Sequence, residues 1–232
     1  MSKPFVSIFL VCAKNRYLPN LPLYNVVTMQ YIGDMKPRLN VHQLIRPIVN
    51  KYQIFDAGSE QLIAMAQQKR LAFKERVSFF ADESKNELVC SFRAEKVIDV
   101  HGTYFIEDKM GKGIGSFKKQ FQKSLINSTW TLMDAEGKER FVINETSQTI
   151  ATLRRFVGWI PFVGEILEII FSFVRYEFQF KDSESGEVVG KYKKTTIIRD
   201  RYQFFMNDEA YESLDWRVYG AFCVALDALQ SR

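Results

Sequence analysis

Apolar and polar residues alternate in short runs along most of this chain, and the runs recur at a fixed interval. Tyr52-Gln-Ile54-Phe-Asp56-Ala-Gly58 places apolar side chains at i and i+2 and ends in an Asp and a Gly. Phe79-Phe-Ala-Asp82, Tyr104-Phe-Ile106-Glu-Asp108-Lys-Met-Gly111 and Trp130-Thr-Leu132-Met-Asp134-Ala-Glu-Gly137 repeat it. The aspartates stand at 56, 82, 108 and 134, each 26 residues after the last. After an interruption, Phe178-Gln-Phe180-Lys-Asp182 and Phe204-Phe-Met206-Asn-Asp208 are again 26 apart.

Residues at i and i+2 share one face of a strand. Asp then bonds its own backbone and Gly tolerates positive φ, which together favour a tight turn. Return strands follow over Leu62 to Ala66, Leu88 to Phe92, Ile114 to Phe121, Arg140 to Ile143 and Val188 to Tyr192. Each unit reads as one β-hairpin, so six units predict about twelve strands. Gly111-Lys-Gly113-Ile-Gly115 lacks the spacing of a phosphate loop and lies inside a hairpin.

Beyond Asp208 the period of two stops, and Ala210 to Leu229 reads as helix. Its run from Val218 to Leu226 is uncharged and apolar on nearly every side, the signature of burial all round. Many strands followed by such a helix predict a mainly β (α+β) fold: a closed antiparallel β-barrel of about twelve strands around a buried C-terminal helix. Closure also removes the edge strands. Aromatic side chains on one face of each hairpin fill the space between wall and helix in this reading.

The barrel domain is expected over residues 31–232, after an N-terminal apolar segment, 1–30. Pro4 to Ala13 carries no charge and is similar to a very short secretory signal, with Val11 and Ala13 at the −3 and −1 positions. Its length is marginal and its basic region a single Lys; a start-site artefact or a docked N-terminal strand fits better. The apolar stretch Phe156 to Val174 holds Glu165 and Glu168 in its middle and is interrupted by Pro161. Each central carboxylate costs about 2.5–3.5 kcal/mol on insertion scales, which argues against a span.

The composition narrows the class further. Hydrophobic residues make up 47%, with 20 Phe and 10 Tyr, too much burial for a disordered chain. Lys and Arg exceed Asp and Glu by 32 to 27, for a pI near 9.0, which favours anionic partners. Cys12, Cys90 and Cys223 are odd in number, far apart and free of CxxC spacing, against a disulfide framework or a structural zinc site. They suit a reducing compartment. The expected location is cytoplasmic, peripheral to a membrane.

Leu39-Asn-Val41-His42-Gln43, Asn50-Lys51-Tyr52-Gln-Ile54, Ile114-Gly115 and the terminal apolar helix resemble the phospholipid scramblase family. The hairpins with Lys-rich return strands, as in Gly115-Ser-Phe117-Lys118-Lys119, are similar to LURP-one-related proteins. Both belong to the tubby C-terminal-like superfamily, and the resemblance covers roughly residues 38 to 232. It implies a barrel around a central helix and binding of phosphoinositide or other anionic lipid. Two departures stand out. The Lys69 to Arg76 stretch lacks the cysteines that take palmitate in scramblases. Asn207, Asp208, Glu209, Glu212 and Asp215 are shorter than a calcium loop and lack its alternating oxygen ligands. Calcium-triggered scrambling is therefore not expected.

The candidate lipid- or anion-binding residues are Lys118, Lys119 and Lys123 on one return strand, and Lys191, Lys193 and Lys194, followed by Arg199 and Arg201, on another. Each cation adds about 1 kcal/mol near an anionic membrane surface. Lysine on a strand edge also guards against aggregation, so the bland reading competes. Arg154 and Arg155 precede Trp159, Ile160 and Phe162 on a Gly- and Pro-bounded segment that suits membrane or partner docking. A short helix over Glu165 to Phe173 capping the barrel is the alternative there. His42 has Asn40 and Gln43 beside it rather than triad partners, and His101 adjoins Gly102 at a hairpin connection. No catalytic constellation, cofactor or metal site is read, and no nucleic acid is expected as a partner. Anionic membrane lipid, or a protein meeting residues 154–164, is the expected partner.

Overall fold

A computed structural model of the chain describes residues 34–45, 49–69, 76–94, 102–120, 129–146, 177–196 and 200–230. These hold twelve strands: β1 (Lys36–Ile45), β2 (Val49–Asp56), β3 (Leu62–Lys69), β4 (Val77–Phe80), β5 (Leu88–Ala94), β6 (Thr103–Asp108), β7 (Gly113–Lys119), β8 (Thr129–Met133), β9 (Glu139–Glu145), β10 (Glu177–Asp182), β11 (Val188–Lys194) and β12 (Arg201–Met206). Two helices follow, α1 (Asp208–Glu212) and α2 (Trp216–Gln230). The strands form one closed antiparallel barrel in which each pairs with its sequence neighbours. The seam is β1 against β12, from Lys36↔Met206 to His42↔Arg201. The segment 1–30 lies outside the described residues.

The recurring aspartates fold the wall. Asp56, Asp82, Asp108, Asp134 and Asp182 tip the β2–β3, β4–β5, β6–β7, β8–β9 and β10–β11 hairpins. In the third, the Asp108 Oδ1 accepts the Met110 and Lys112 N–H groups at 2.8 and 2.9 Å, and Gly111 takes φ +79. In the first two, Glu60 and Lys85 hold the left-handed position (φ 58 each), so Gly58 is not the residue that needs it. Every one of these hairpins also carries a register shift just before its Asp, between Ile54/Phe55, Phe79/Phe80, Ile106/Glu107, Leu132/Met133 and Phe180/Lys181. Bulges sharpen local twist, and five at one level of the wall help to curl it shut.

The sixth unit departs from the expectation. Asp208 tips no hairpin: Asn207 caps α1, its Oδ1 accepting the Ala210 N–H at 2.9 Å, and Asp208 lies in the first helical turn, bonded by Lys36 (2.6 Å) and Arg38. The twelfth strand is β1 instead. The single helix expected over Ala210 to Leu229 is also two, because Ser213 caps α1 and Asp215 opens α2 by accepting the Arg217 N–H at 2.9 Å.

α2 fills the barrel. Val218 through Leu226 are buried on every side of the helix. The alternate residues of the wall meet it: Phe117, Trp130 and Phe180 set their rings 5.4, 6.0 and 5.8 Å from Phe222, near edge-on. Tyr219 stacks on Phe204 at 5.3 Å and donates its hydroxyl to the Ala210 carbonyl at 2.6 Å. Where α2 enters, the wall has no side chain: a Cβ on Gly115 would lie 2.9 Å from the Met133 carbonyl and 3.0 and 3.1 Å from the Val218 methyls. Among the described residues no helix is long and apolar enough to cross a membrane.

Candidate functional site

The return strands place their lysines by alternation. On β11, Gly190 and Tyr192 are buried, while Lys191 and Lys193 stand on the outer face. They flank Phe205 of the neighbouring β12, their Nζ atoms 5.2 and 5.1 Å from its ring centroid. One ring thus serves two ammonium groups, an arrangement worth about 0.5–1 kcal/mol per contact at an exposed site. Arg201 projects from the same face of β12, two positions along from Gln203, whose side chain donates to Asn40 of β1 at 3.0 Å.

Lys194 has the opposite parity. It is tied to Asp200 at 2.6 Å and is only 16% exposed, so its charge is already balanced within the fold. Of the other predicted cluster, Lys118 lies 3.5 Å from Glu139, and Lys119 sets its Nζ 5.5 Å from the Trp130 ring centroid on the inward-facing row. Lys123, Arg154, Arg155, Trp159, Ile160, Phe162, Arg199 and His101 lie outside the described residues. The structure does not merge the two basic strands. β8, β9 and β10 stand between β7 and β11, about 19 Å of wall at the usual strand spacing.

It does bring together something the sequence hid. β1, β12 and β11 are adjacent in the wall, and none of the three contains an Asp or Glu. Their cations are Lys36 and Arg38, held by Asp208; Lys194, held by Asp200; and Lys191, Lys193 and Arg201. The last three make no ion pair among the described residues. A strip whose own strands carry no acid, with Lys191 and Lys193 beside a half-buried aromatic ring, is a surface that attracts anions, against the competition of Glu177 on β10, the register partner of Lys193.

His42 belongs to this strip. Val41 faces the core, so His42 faces out, across from Arg201 in register and with its ring 4.8 Å from that of Phe55 on β2. Partial burial, and then the Arg201 charge, hold its imidazole below the usual histidine range.

A second polar cluster lies inside the barrel. Asp227 of α2, 4% exposed, accepts the Tyr52 hydroxyl at 2.9 Å and the Tyr202 hydroxyl at 2.8 Å. Tyr52 in turn accepts from Gln43 at 3.3 Å. Burial pushes the Asp227 carboxyl above the ordinary aspartate range, against the pull of the two tyrosine hydrogen bonds; nearby Asp200 adds to the rise and Lys194 opposes it. The cluster ties α2 to β2 and β12 through the two tyrosine hydroxyls. Its signal in the sequence is the lone acid that ends the Val218–Leu226 run, Asp227 itself.

Cys90 and Cys223 are unpaired and buried, and burial pushes the Cys90 thiol up to about 12. Among the described residues no group of three or more His, Cys, Asp or Glu is placed to hold a metal ion. Compared with known proteins, the chain matches no family model and no curated protein sequence.

Proposed function

We propose that this chain is a non-enzymatic domain of the tubby C-terminal-like kind that attaches to anionic phospholipid or phosphoinositide at a membrane surface. The observation that carries the reading is the outer face of β11 and β12, where Lys191 and Lys193 flank Phe205 and Arg201 lies further along the same face, with no carboxylate on their own strands. Lipid phosphates meet the cations, while the ring sits at the level of the headgroups, as amphipathic aromatics do. Three uncommitted cations at about 1 kcal/mol each give a weak, salt-sensitive attachment, the range in which reversible peripheral binding operates. A barrel wound around its last helix is also the architecture that the resemblance to tubby-like, scramblase and LURP-one-related proteins implies, which supports the same reading.

Co-sedimentation with vesicles tests it. The chain pellets with phosphatidylglycerol-containing vesicles and far less with phosphatidylcholine alone. Lys191→Glu with Lys193→Glu abolishes the difference, whereas Lys118→Glu, on the separate β7 strand, leaves it in place. Equal pelleting on both vesicle types, or indifference to the β11 reversal, removes the basis of the proposal.

A further inference from the structure

His42 stands one strand away from Arg201, its register partner, and two strands away from Lys191 and Lys193, whose own titratable register neighbour is Glu177 of β10. Its neighbours can be followed strand by strand. On β12 its register partner is Arg201, a permanent cation. On β2 it faces Gln53 in register and touches the Phe55 ring; Lys51, the next outward residue on that strand, lies 3.7 Å from Glu83. On β1 its outward neighbours are Asn40 and Leu44. The closest acid along the chain path, Asp200, accepts the Gln43 N–H through its backbone and gives its carboxylate to Lys194. No carboxylate is therefore aimed at the imidazole from any of these elements, and a cation is.

That geometry makes the ring a conditional cation. Alone, imidazolium beside Arg201 is disfavoured. A phosphate seated on Arg201 reverses the local field and offers an oxygen to the imidazole N–H, so the anion and the proton assist each other. We propose that His42 is a proton-gated ligand for the anionic lipid headgroup received by Lys191, Lys193 and Arg201, so that membrane attachment tightens as the medium acidifies. The inference rests on the lipid reading above and adds to it one ligand and one mode of control. Linkage makes the effect reciprocal: anionic lipid raises proton affinity at His42 by the same factor that protonation raises lipid affinity.

The test is vesicle co-sedimentation of the full chain at about pH 5.5 and about pH 7.5, either side of the ordinary imidazole range. Phosphatidylglycerol vesicles serve as the probe, because their headgroup does not titrate between those values. Wild type binds about fivefold more tightly at the acidic value, the effect of one added cation at an anionic surface. His42→Gln matches wild type at the higher pH and gains less than about twofold on acidification, although His101 is still present. A second readout uses short-chain phosphatidylglycerol and the His42 ring-proton resonance, identified by its loss in H42Q: its titration midpoint moves up when lipid is added. Acid enhancement that persists in H42Q, or a midpoint that stays put, overturns the proposal while leaving the lipid reading intact. Binding that is equal at both pH values in wild type does the same. Failure to pellet with anionic vesicles at either pH overturns both. Tight capture of a single-stranded oligonucleotide with no preference for anionic vesicles also overturns both, in favour of a nucleic-acid surface.

Discussion

The fit of α2 inside the wall can be tested with one methyl group. Gly115→Ala adds a Cβ 2.9 Å from the Met133 carbonyl oxygen and 3.0 and 3.1 Å from the two Val218 methyls. The carbonyl belongs to the adjoining strand, and the helix has wall on every side, so neither neighbour retreats freely. Overpacking of this kind costs about 2 kcal/mol, which lowers Tm by about 4–8 °C in a chain of this length. Without neighbours this close, the same change would stabilise a strand by about 0.5–1 kcal/mol, because Ala loses less backbone freedom than Gly. The Met133 clash does not depend on the helix, so the coupling to Val218 discriminates. Val218→Ala removes two methyls from a fully buried site and costs about 2 kcal/mol by itself. In the double variant the Val218 part of the clash disappears and the Met133 part stays, so the combined loss is about 3 kcal/mol, roughly one less than the sum. Urea unfolding followed by fluorescence of the buried Trp130 measures all four proteins at constant m-value. Strict additivity, or a stabilised Gly115→Ala, refutes the packing of Val218 against β7.

Further expectations concern charge. The Asp227 carboxyl has its folded pKa above its unfolded one, so its contribution favours the fold most below about pH 3.9 and declines as pH rises through the raised value. Asp227→Asn removes that decline from a plot of urea midpoint against pH, while Asp227→Ala costs about 2–4 kcal/mol at neutral pH by stripping the Tyr52 and Tyr202 hydroxyls of this acceptor. Asp56, Asp82 and Asp182 have the opposite sign: turn hydrogen bonds, chiefly from Ser59, Ser84 and Ser185, lower their pKa, so their support is present above about pH 3.9 and is lost as pH falls through the lowered values. Asp82→Asn and Asp182→Asn together shift the acid limb of the same plot, and an unchanged limb refutes the role of these turns. Finally, in a Cys12→Ser background the native chain resists thiol reagents at neutral pH, since burial holds both Cys90 and Cys223 as thiols; labelling as fast as that of the unfolded chain contradicts their placement.

The wall was legible because its rules are local. Alternation set the inward rows within each short run, and Asp56, Asp82, Asp108 and Asp134, 26 residues apart, marked the hairpin tips. The sixth unit misled because Phe204-Phe-Met206-Asn-Asp208 has the strand pattern and the Asp, yet Asn207 uses its side chain to cap a helix rather than to turn a strand. The site was less legible, for a reason of distance along the chain. Lys191 and Lys193 could be nominated as a basic run, but their value depends on β12 supplying Phe205 and on β1 closing beside it with no acid. His42 and Arg201 are neighbours across 159 residues of sequence, a pairing that no local period encodes. Lys194 and Lys118 were nominated on the same grounds as Lys191, and only the fold reveals that Asp200 and Glu139 already engage them.

The seam between the first strand and the last has a consequence for biosynthesis. The helix at the heart of the molecule follows every strand in the sequence, and the stave that seals the wall, β1, precedes them all. A ribosome therefore releases all twelve strands and their inward rows of Phe, Tyr and Trp before the plug that covers them exists. Assembly must wait for α2 to emerge, which makes folding slow and dependent on long-range closure. Until that moment the nascent wall is a client for whatever holds aggregation-prone strands apart.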